Sequence, residues 1–193
     1  MSMIGRVRFV VPFLALLLSL VAARVACADS FDLMRLMQLL SAAPVAEVAF
    51  TERKYSSLLS EPVVSSGKLS YRRPDFVEKF VETPRRERYR FAGDELLLLR
   101  NGEEKRIPLS SRPLLSAFAA SLRGVLGGDL ALLRDHYQLA LQGSEPAWVL
   151  ELTPLDEETG RYVSRIVVSG HAGRIEQIEV RESSGDRSVL QVR

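Results

Sequence analysis

Hydrophobic residues recur along the chain with two periods, and the changes between them mark out its elements. Leu33, Leu36, Met37 and Leu40 follow the i, i+3, i+4, i+7 spacing of one helical face, with Asp29 or Ser30 placed to cap the start and Pro44 to end it. From Glu47 the period becomes two, in the short runs EVAFTERKYSS, GKLSYRR, DFVEKFVE, RERYRFA, ELLLLR and KRIPL, separated by SEPVVSS, TPR, GD and NGEE. A second helical stretch, SSRPLLSAFAASLRGVLGGDLALLRD, interrupts the strands. Ser110 or Ser111 is placed to cap it, Pro113 falls in its first turn, and Leu114, Phe118, Leu122 and Val125 share a face. Gly127 and Gly128 break it, and Asp129 can cap a shorter helix behind them. Strand periodicity then returns in YQLALQG, AWVLELTPL, RYVSRIVVSG, GRIEQIEVRE and RSVLQVR. Short strands on close turns imply antiparallel neighbours, and no strand-helix-strand alternation suggests a parallel sheet. The expected class is α+β, mainly β: one large, strongly curved antiparallel sheet with two helical segments over one face.

Side chains on a strand alternate between faces, so in SGKLSYRRP Leu69, Tyr71 and Arg73 share one side while Lys68, Ser70 and Arg72 share the other. If Leu69 and Tyr71 face the interior, Arg73 is expected there too, and a guanidinium beside apolar surface needs partners. The same alternation groups Tyr89 with Phe91, Leu96 with Leu98, and Trp148 with Leu150 and Leu152. These residues and the stripe Leu114, Phe118 and Leu122 can fill a core or line a cavity. The pattern alone leaves both open.

The first residues read as a targeting segment: basic Arg6 and Arg8, the apolar run FVVPFLALLLSLVAA, and small residues around Ala26, Cys27 and Ala28. Cleavage after Ala28 is expected, making residues 1–28 a signal peptide and 29–193 one domain; a lipid-bearing Cys27 is the alternative. Arg24 interrupts an apolar run already short for a membrane span. Removing the three arginines of this segment leaves 23 basic against 24 acidic side chains, a net charge of −1 over 165 residues. Nucleic acid is therefore a poor partner. The only cysteine, Cys27, leaves with the segment, which suits an oxidising periplasm and removes thiol catalysis.

Candidate chemistry is sparse. His136 and His171 have no carboxylate or cysteine at metal-ligand spacing, and Asp156, Glu157 and Glu158 read as a solvated hairpin tip, as do Glu103 and Glu104 after Asn101 and Gly102. Nucleotide-binding and nucleophile-elbow signatures are missing. The pattern disfavours an enzyme and implies no cofactor.

AFTERKYSSLLSEPVVSSGKLSYRRPDFVEKF, FAGDELLLL, WVLELTP and GRIEQIEVRESSGDRSVLQV resemble, in order and spacing, the strands of the LolA-like periplasmic carriers of outer-membrane lipoproteins, in a divergent branch. The resemblance implies an unclosed β-barrel whose apolar concave face lies under helical lids. It implies a monomeric carrier that takes up the acyl chains of a lipoprotein, or another lipid, and delivers them towards the outer membrane. Partners would be an inner-membrane releasing complex and an outer-membrane acceptor. A membrane-anchored receptor of LolB type and a lipid-sensing module are the alternatives. The arginine before the family's proline matches Arg73, implying a latch on lid carbonyls. The cavity would be lined by Leu69, Tyr71, Phe80, Tyr89, Phe91, Leu96, Leu98, Leu114, Phe118, Leu122, Trp148 and Leu150. Longer carriers continue beyond SVLQVR, and the shorter form is expected to suit another lipid, such as an acylated or polyene product.

Overall fold

The structure is a computed structural model and describes residues 31–43 and 47–193, without the side chains of residues 113 and 114. The signal segment, its cleavage site, Cys27 and Pro44 lie outside the described residues. The first helix, α1 (Leu33–Ala42), is capped by Asp32, whose side chain accepts from the Arg35 amide at 2.8 Å. The cap is therefore neither Asp29 nor Ser30. Six strands follow: β1 (Glu47–Tyr55), β2 (Val63–Arg72), β3 (Phe76–Thr83), β4 (Glu87–Ala92), β5 (Glu95–Arg100) and β6 (Glu103–Pro108). Val63 to Ser66, expected in a connection, extend β2, because Val63 and Val64 pair with Lys54 and Arg53 of β1.

After a 3₁₀ turn at Leu109–Ser111 come α2 (Pro113–Gly127) and α3 (Leu130–His136). The N-cap of α2 is Arg112, with no side-chain bond, since Ser110 and Ser111 are consumed in the 3₁₀ turn and Ser111 Oγ donates to the Pro108 carbonyl at 2.9 Å. Asp129 does cap α3, accepting from the Leu132 amide at 3.0 Å. The remaining elements are β7 (Tyr137–Ser144), β8 (Ala147–Pro154), the single turn α4 (Glu157–Gly160), β9 (Val163–His171), β10 (Arg174–Glu182) and β11 (Arg187–Val192). Asp156 and its acidic neighbours thus form a capped helical turn, not a bare hairpin tip; Asp156 accepts from the amide of Thr159 at 2.7 Å.

All eleven strands form one antiparallel sheet in the order β6-β5-β4-β3-β2-β1-β11-β10-β9-β8-β7. β6 and β7 do not pair with each other, so the barrel is unclosed. Edge strand β6, EEKRIP, carries charge of both signs, which discourages pairing with another chain. Directly opposed residues share a face. One face therefore runs Tyr71, Val77, Phe91 and Leu96 across β2 to β5, and Leu190, Ile178, Val168 and Leu150 across β11 to β8. The helices cover this face in two packed clusters. Leu36, Leu133, Trp148, Leu150 and Leu152 anchor the first, and Phe50, Tyr71, Val77 and Phe91 the second. α2 joins them, with Ala117 in one, Ala119 in the other and Phe118 against both.

The far end of the same face is polar. Glu52 lies on it opposite Leu190 and pairs with Lys79 Nζ at 2.6 Å, while Ser188 and Ser65 donate to its two oxygens at 2.7 and 3.2 Å. Burial pushes the Glu52 carboxyl up, but Lys79 and the two hydroxyls outweigh it and hold the group below its ordinary value.

α2 meets α1 at Gly128, in the left-handed region (φ 68°), where an added Cβ would stand 2.3 Å from the Met37 carbonyl oxygen. Gly185 has φ 95° but open space around its Cα. Gly185→Ala is expected to cost about 1 kcal/mol, the backbone penalty alone. Gly128→Ala should cost at least ~2 kcal/mol, since α1 must also shift. Urea unfolding of both variants checks this, and equal costs would mean that the helices do not meet so closely.

Candidate functional site

β2 ends at Arg72, and a cis Arg73–Pro74 bond turns the chain towards β3. Arg73 lies one residue past the strand and is exposed, yet it stands beside the Tyr71 hydroxyl and reaches α1, the helix that covers the inward face. Its Nη2 donates to the carbonyls of Ser41 and Ala43, the latter at 3.3 Å. These belong to the C-terminal end of α1, where carbonyls lack helical partners and the helix dipole is negative, so a guanidinium suits them twice over. Beneath, the Tyr71 hydroxyl donates to the Pro74 carbonyl at 3.3 Å, and an added Cβ on Gly127 would stand 2.7 Å from it. Burial raises the Tyr71 hydroxyl above its ordinary value, and the Arg73 cation partly opposes this.

A second arginine, which the sequence pattern did not single out, fastens α2. Arg123 Nε donates to the Asp75 carbonyl at 3.0 Å and its Nη2 to the Gly93 carbonyl at 2.6 Å. Asp75 lies in the β2–β3 turn and Gly93 in the β4–β5 turn; the Asp75 carboxylate accepts from the Gly93 amide at 2.9 Å, tying the turns together. At the other side of α2, buried Tyr137 donates from its hydroxyl to the Ala117 carbonyl at 2.8 Å, and burial pushes that hydroxyl up to about 12.

The concave face holds a cavity of about 470 Å³, within the ~300–1,000 Å³ range of small-molecule sites. Its walls are Leu40 of α1, Ala43 just past the end of that helix, Val48 of β1, Leu69 and Tyr71 of β2, and Leu126 of α2; Ile175, Ile178 and Val192 close the opposite side. His171, Arg174, Glu176 and Arg193 stand at its polar margin.

Of the twelve apolar positions expected to line a cavity, Leu69 and Tyr71 do so here. Phe118 and Leu122 border a gap of about 10 Å³ under α2, room for roughly one water. Trp148, Leu150, Phe91 and Leu96 are buried in the two packed clusters. Tyr89 and Leu98 face each other half-buried, with the Tyr89 hydroxyl donating to Glu87 at 2.6 Å. Phe80 requires a correction. It sits opposite Lys68 and Arg88 on the other face of the sheet, with the Arg88 guanidinium 4.9 Å from its ring centre. Val77, Lys79 and Val81 take the inward positions of β3. The Leu114 side chain lies outside the described residues. Leu40, Val48, Ile175, Ile178 and Val192 were missed. Each was visible as an apolar strand or helix position, but the long-range pairing of β1 with β11, the pairing of β11 with β10 and the packing of α1 against β10 bring them together.

A family model described as outer membrane lipoprotein carrier protein LolA-like matches residues 25–191. The chain belongs to this LolA-like family. Its members are binding and carrier proteins rather than enzymes, and the unclosed barrel under helices is the fold expected of it. No curated protein matches the chain in sequence. Similar solved structures include a LolA superfamily protein from Nitrosomonas europaea (15% identity, 83% of this chain and 89% of that one, TM-score 0.46). A DUF1329 family protein from Desulfovibrio piger shares 16% identity over 84% of this chain and 89% of its own, at TM-score 0.46. The Mycobacterium tuberculosis lipoprotein LppX shares 10% over 83% and 93%, at TM-score 0.42. Family membership rests on the sequence match. Among the described residues of this LolA-like chain, no helix is long and apolar enough to cross a membrane, and no group of three or more His, Cys, Asp or Glu could hold a metal ion.

Arg123→Met keeps the aliphatic stem and removes both carbonyl bonds. It is expected to lower stability by about 1–3 kcal/mol and to speed amide exchange along α2 more than along α1. Uniform acceleration across both helices would show that Arg123 does not fasten α2 in particular.

Proposed function

We propose that this protein is a periplasmic carrier that holds the acyl chains of a lipoprotein, or of another lipid, against the concave face of the barrel and delivers them towards the outer membrane. The observation that carries the reading is the apolar cavity of about 470 Å³ bounded by the end of α1, the same helix end whose carbonyls Arg73 holds. On this reading residues 1–28 are removed on export and residues 29–193 travel as a monomer. An inner-membrane complex supplies the cargo and an outer-membrane acceptor receives it.

The physical need is clear. Each exposed methylene costs ~0.8 kcal/mol in water, so an acylated molecule crosses an aqueous compartment only inside an apolar container. The container must also let go. Acyl chains longer than the closed cavity accommodates displace the last turn of α1 from Arg73, and reforming those bonds on emptying favours release to a tighter acceptor. Arg73 is exposed, so its bonds are worth less than buried ones and bias the two forms without locking either.

Arg73→Leu removes the bonds and adds apolar surface, so the loaded form gains relative to the empty one. Loading is expected to survive and transfer to acceptor membranes to fall severalfold. Arg72→Leu is the control, because Arg72 lies over the Phe76 ring at 4.0 Å and does not touch α1 through any described hydrogen bond. Cargo retention after mixing with acceptor membranes is the measurement. Equal transfer by both variants and the unaltered protein would remove the latch role. Failure of the unaltered protein to bind any acyl chain would remove the carrier reading itself, and an acylated Cys27 at the mature N-terminus would favour an anchored receptor.

A further inference from the structure

The margin of the cavity is chemically unlike its walls. The walls are aliphatic apart from Tyr71, while the margin carries Arg174, Arg193, His171 and Glu176. Glu176 is already engaged, with Oε1 2.9 Å from His171 Nδ1, and neither Arg174 nor Arg193 joins an ion pair among the described residues. Two arginines thus border an apolar chamber, neither of them held by a carboxylate side chain among the described residues.

Arg193 follows β11, its amide donating to the Ala49 carbonyl at 2.9 Å, and the turn that carries Arg174 is firmly set. Its Ala172 carbonyl accepts from Trp148 Nε1 at 2.9 Å, its Ala172 amide donates to the Glu145 carbonyl at 2.7 Å, and the backbone of Gly173 packs against α1, where an added Cβ would stand 2.5 Å from the Leu39 carbonyl oxygen. Ala172 itself is held at φ 45°, a conformation costly for alanine unless its surroundings impose it. A buried tryptophan, a neighbouring turn and a helix backbone therefore hold the segment from His171 to Glu176 in place. Arg174 thus stands on a fixed backbone and Arg193 borders the same cavity, at the polar margin where the head of a chain lying inside would emerge.

We propose that the preferred occupant of this cavity is an anionic amphiphile, with its acyl chain among Leu40, Val48, Leu69, Ile178 and Val192 and its carboxylate or phosphate head on Arg174 and Arg193. The inference rests on the carrier reading and names the class of lipid carried. Guanidinium groups suit both heads, since their forked donors match the oxygens of either. A neutral head of the same chain length gains the apolar burial without the charge-assisted bonds, and a cationic head meets two like charges.

Displacement of an apolar naphthylamine probe by hexadecanoate, hexadecyl phosphate and hexadecanol tests this with one chain and three heads. The two anions are expected to compete about tenfold more tightly than the alcohol, the ~1.4 kcal/mol equivalent of a charge-assisted bond. Arg174→Gln, an exposed substitution that leaves the apolar walls intact, should remove most of that advantage while leaving the alcohol unchanged, and Arg193→Gln should act in the same direction. Added salt should weaken the anions and not the alcohol. The order of the two anions distinguishes a free fatty acid from a phospholipid-derived head. Equal competition by all three heads, or an equal loss for all three in Arg174→Gln, overturns the assignment while the carrier reading stands. No probe binding and no competition by any chain overturns both.

Discussion

A sheet of eleven antiparallel strands presents a long, largely apolar face, and the described residues include few helical ones with which to cover it. That shortage organises the molecule. α2 crosses the middle, close to the strands because Ala117, Ala119, Ala120 and Ser121 are small, with Phe118 as the one large side chain bridging both core clusters. α1 and α3 cover the side formed by β7 to β10. Cover gives out where α1 stops at Ala42 and α2 at Gly127, and the cavity opens there, with Leu40, Ala43 and Leu126 on its border. Helix ends are also where carbonyls lose their partners. Incomplete cover and unpaired backbone therefore fall at one place, and Arg73 answers the second of these while leaving the first.

The fold was largely legible because both hydrophobic periods are clear and most turns are marked by glycine, proline or short polar runs. The period-two runs became strands, Asp129 capped α3 as its position suggested, and the glycine pair ended α2. Errors arose where a local signal had a stronger local rival. Ser110 and Ser111 looked like caps but were taken up in a 3₁₀ turn, and Val63 to Ser66 looked like a loop because Pro62 precedes them, although pairing with β1 makes them strand.

The site was less legible, for a different reason. Alternation tells which residues share a face within one strand, not which face is inward, and β3 carries large apolar residues on both sides. Phe76 and Phe80 cover arginines on the outside while Val77 and Val81 pack inside, so the larger ring was the misleading choice. Arg73 lies one residue past the strand and is exposed, although it stays beside the Tyr71 hydroxyl. The arginine found carbonyl partners on α1 all the same, because a side chain that long reaches them from the rim. Arg123 gave no signal at all, since its partners are backbone atoms of two turns far away in sequence.

The two arginines divide the cover into parts of unequal firmness. Arg123 holds α2 to two turns already tied to each other by Asp75, and the residues beneath α2 belong to both core clusters. Displacing α2 would expose both clusters at once. The body of α1 is also costly to move, because Leu36, Met37 and Leu40 are buried and each large apolar side chain contributes roughly 1.5–3 kcal/mol. Its end differs: the carbonyls of Ser41 and Ala43 accept from an exposed guanidinium, and Ala43 borders the cavity directly. Enlargement of the cavity therefore meets least resistance at that end, so a longer chain can be admitted by local fraying of α1 rather than by lifting a whole helix. On the proposed carrier function, such an opening would expose little core and leave the rest of the fold in place.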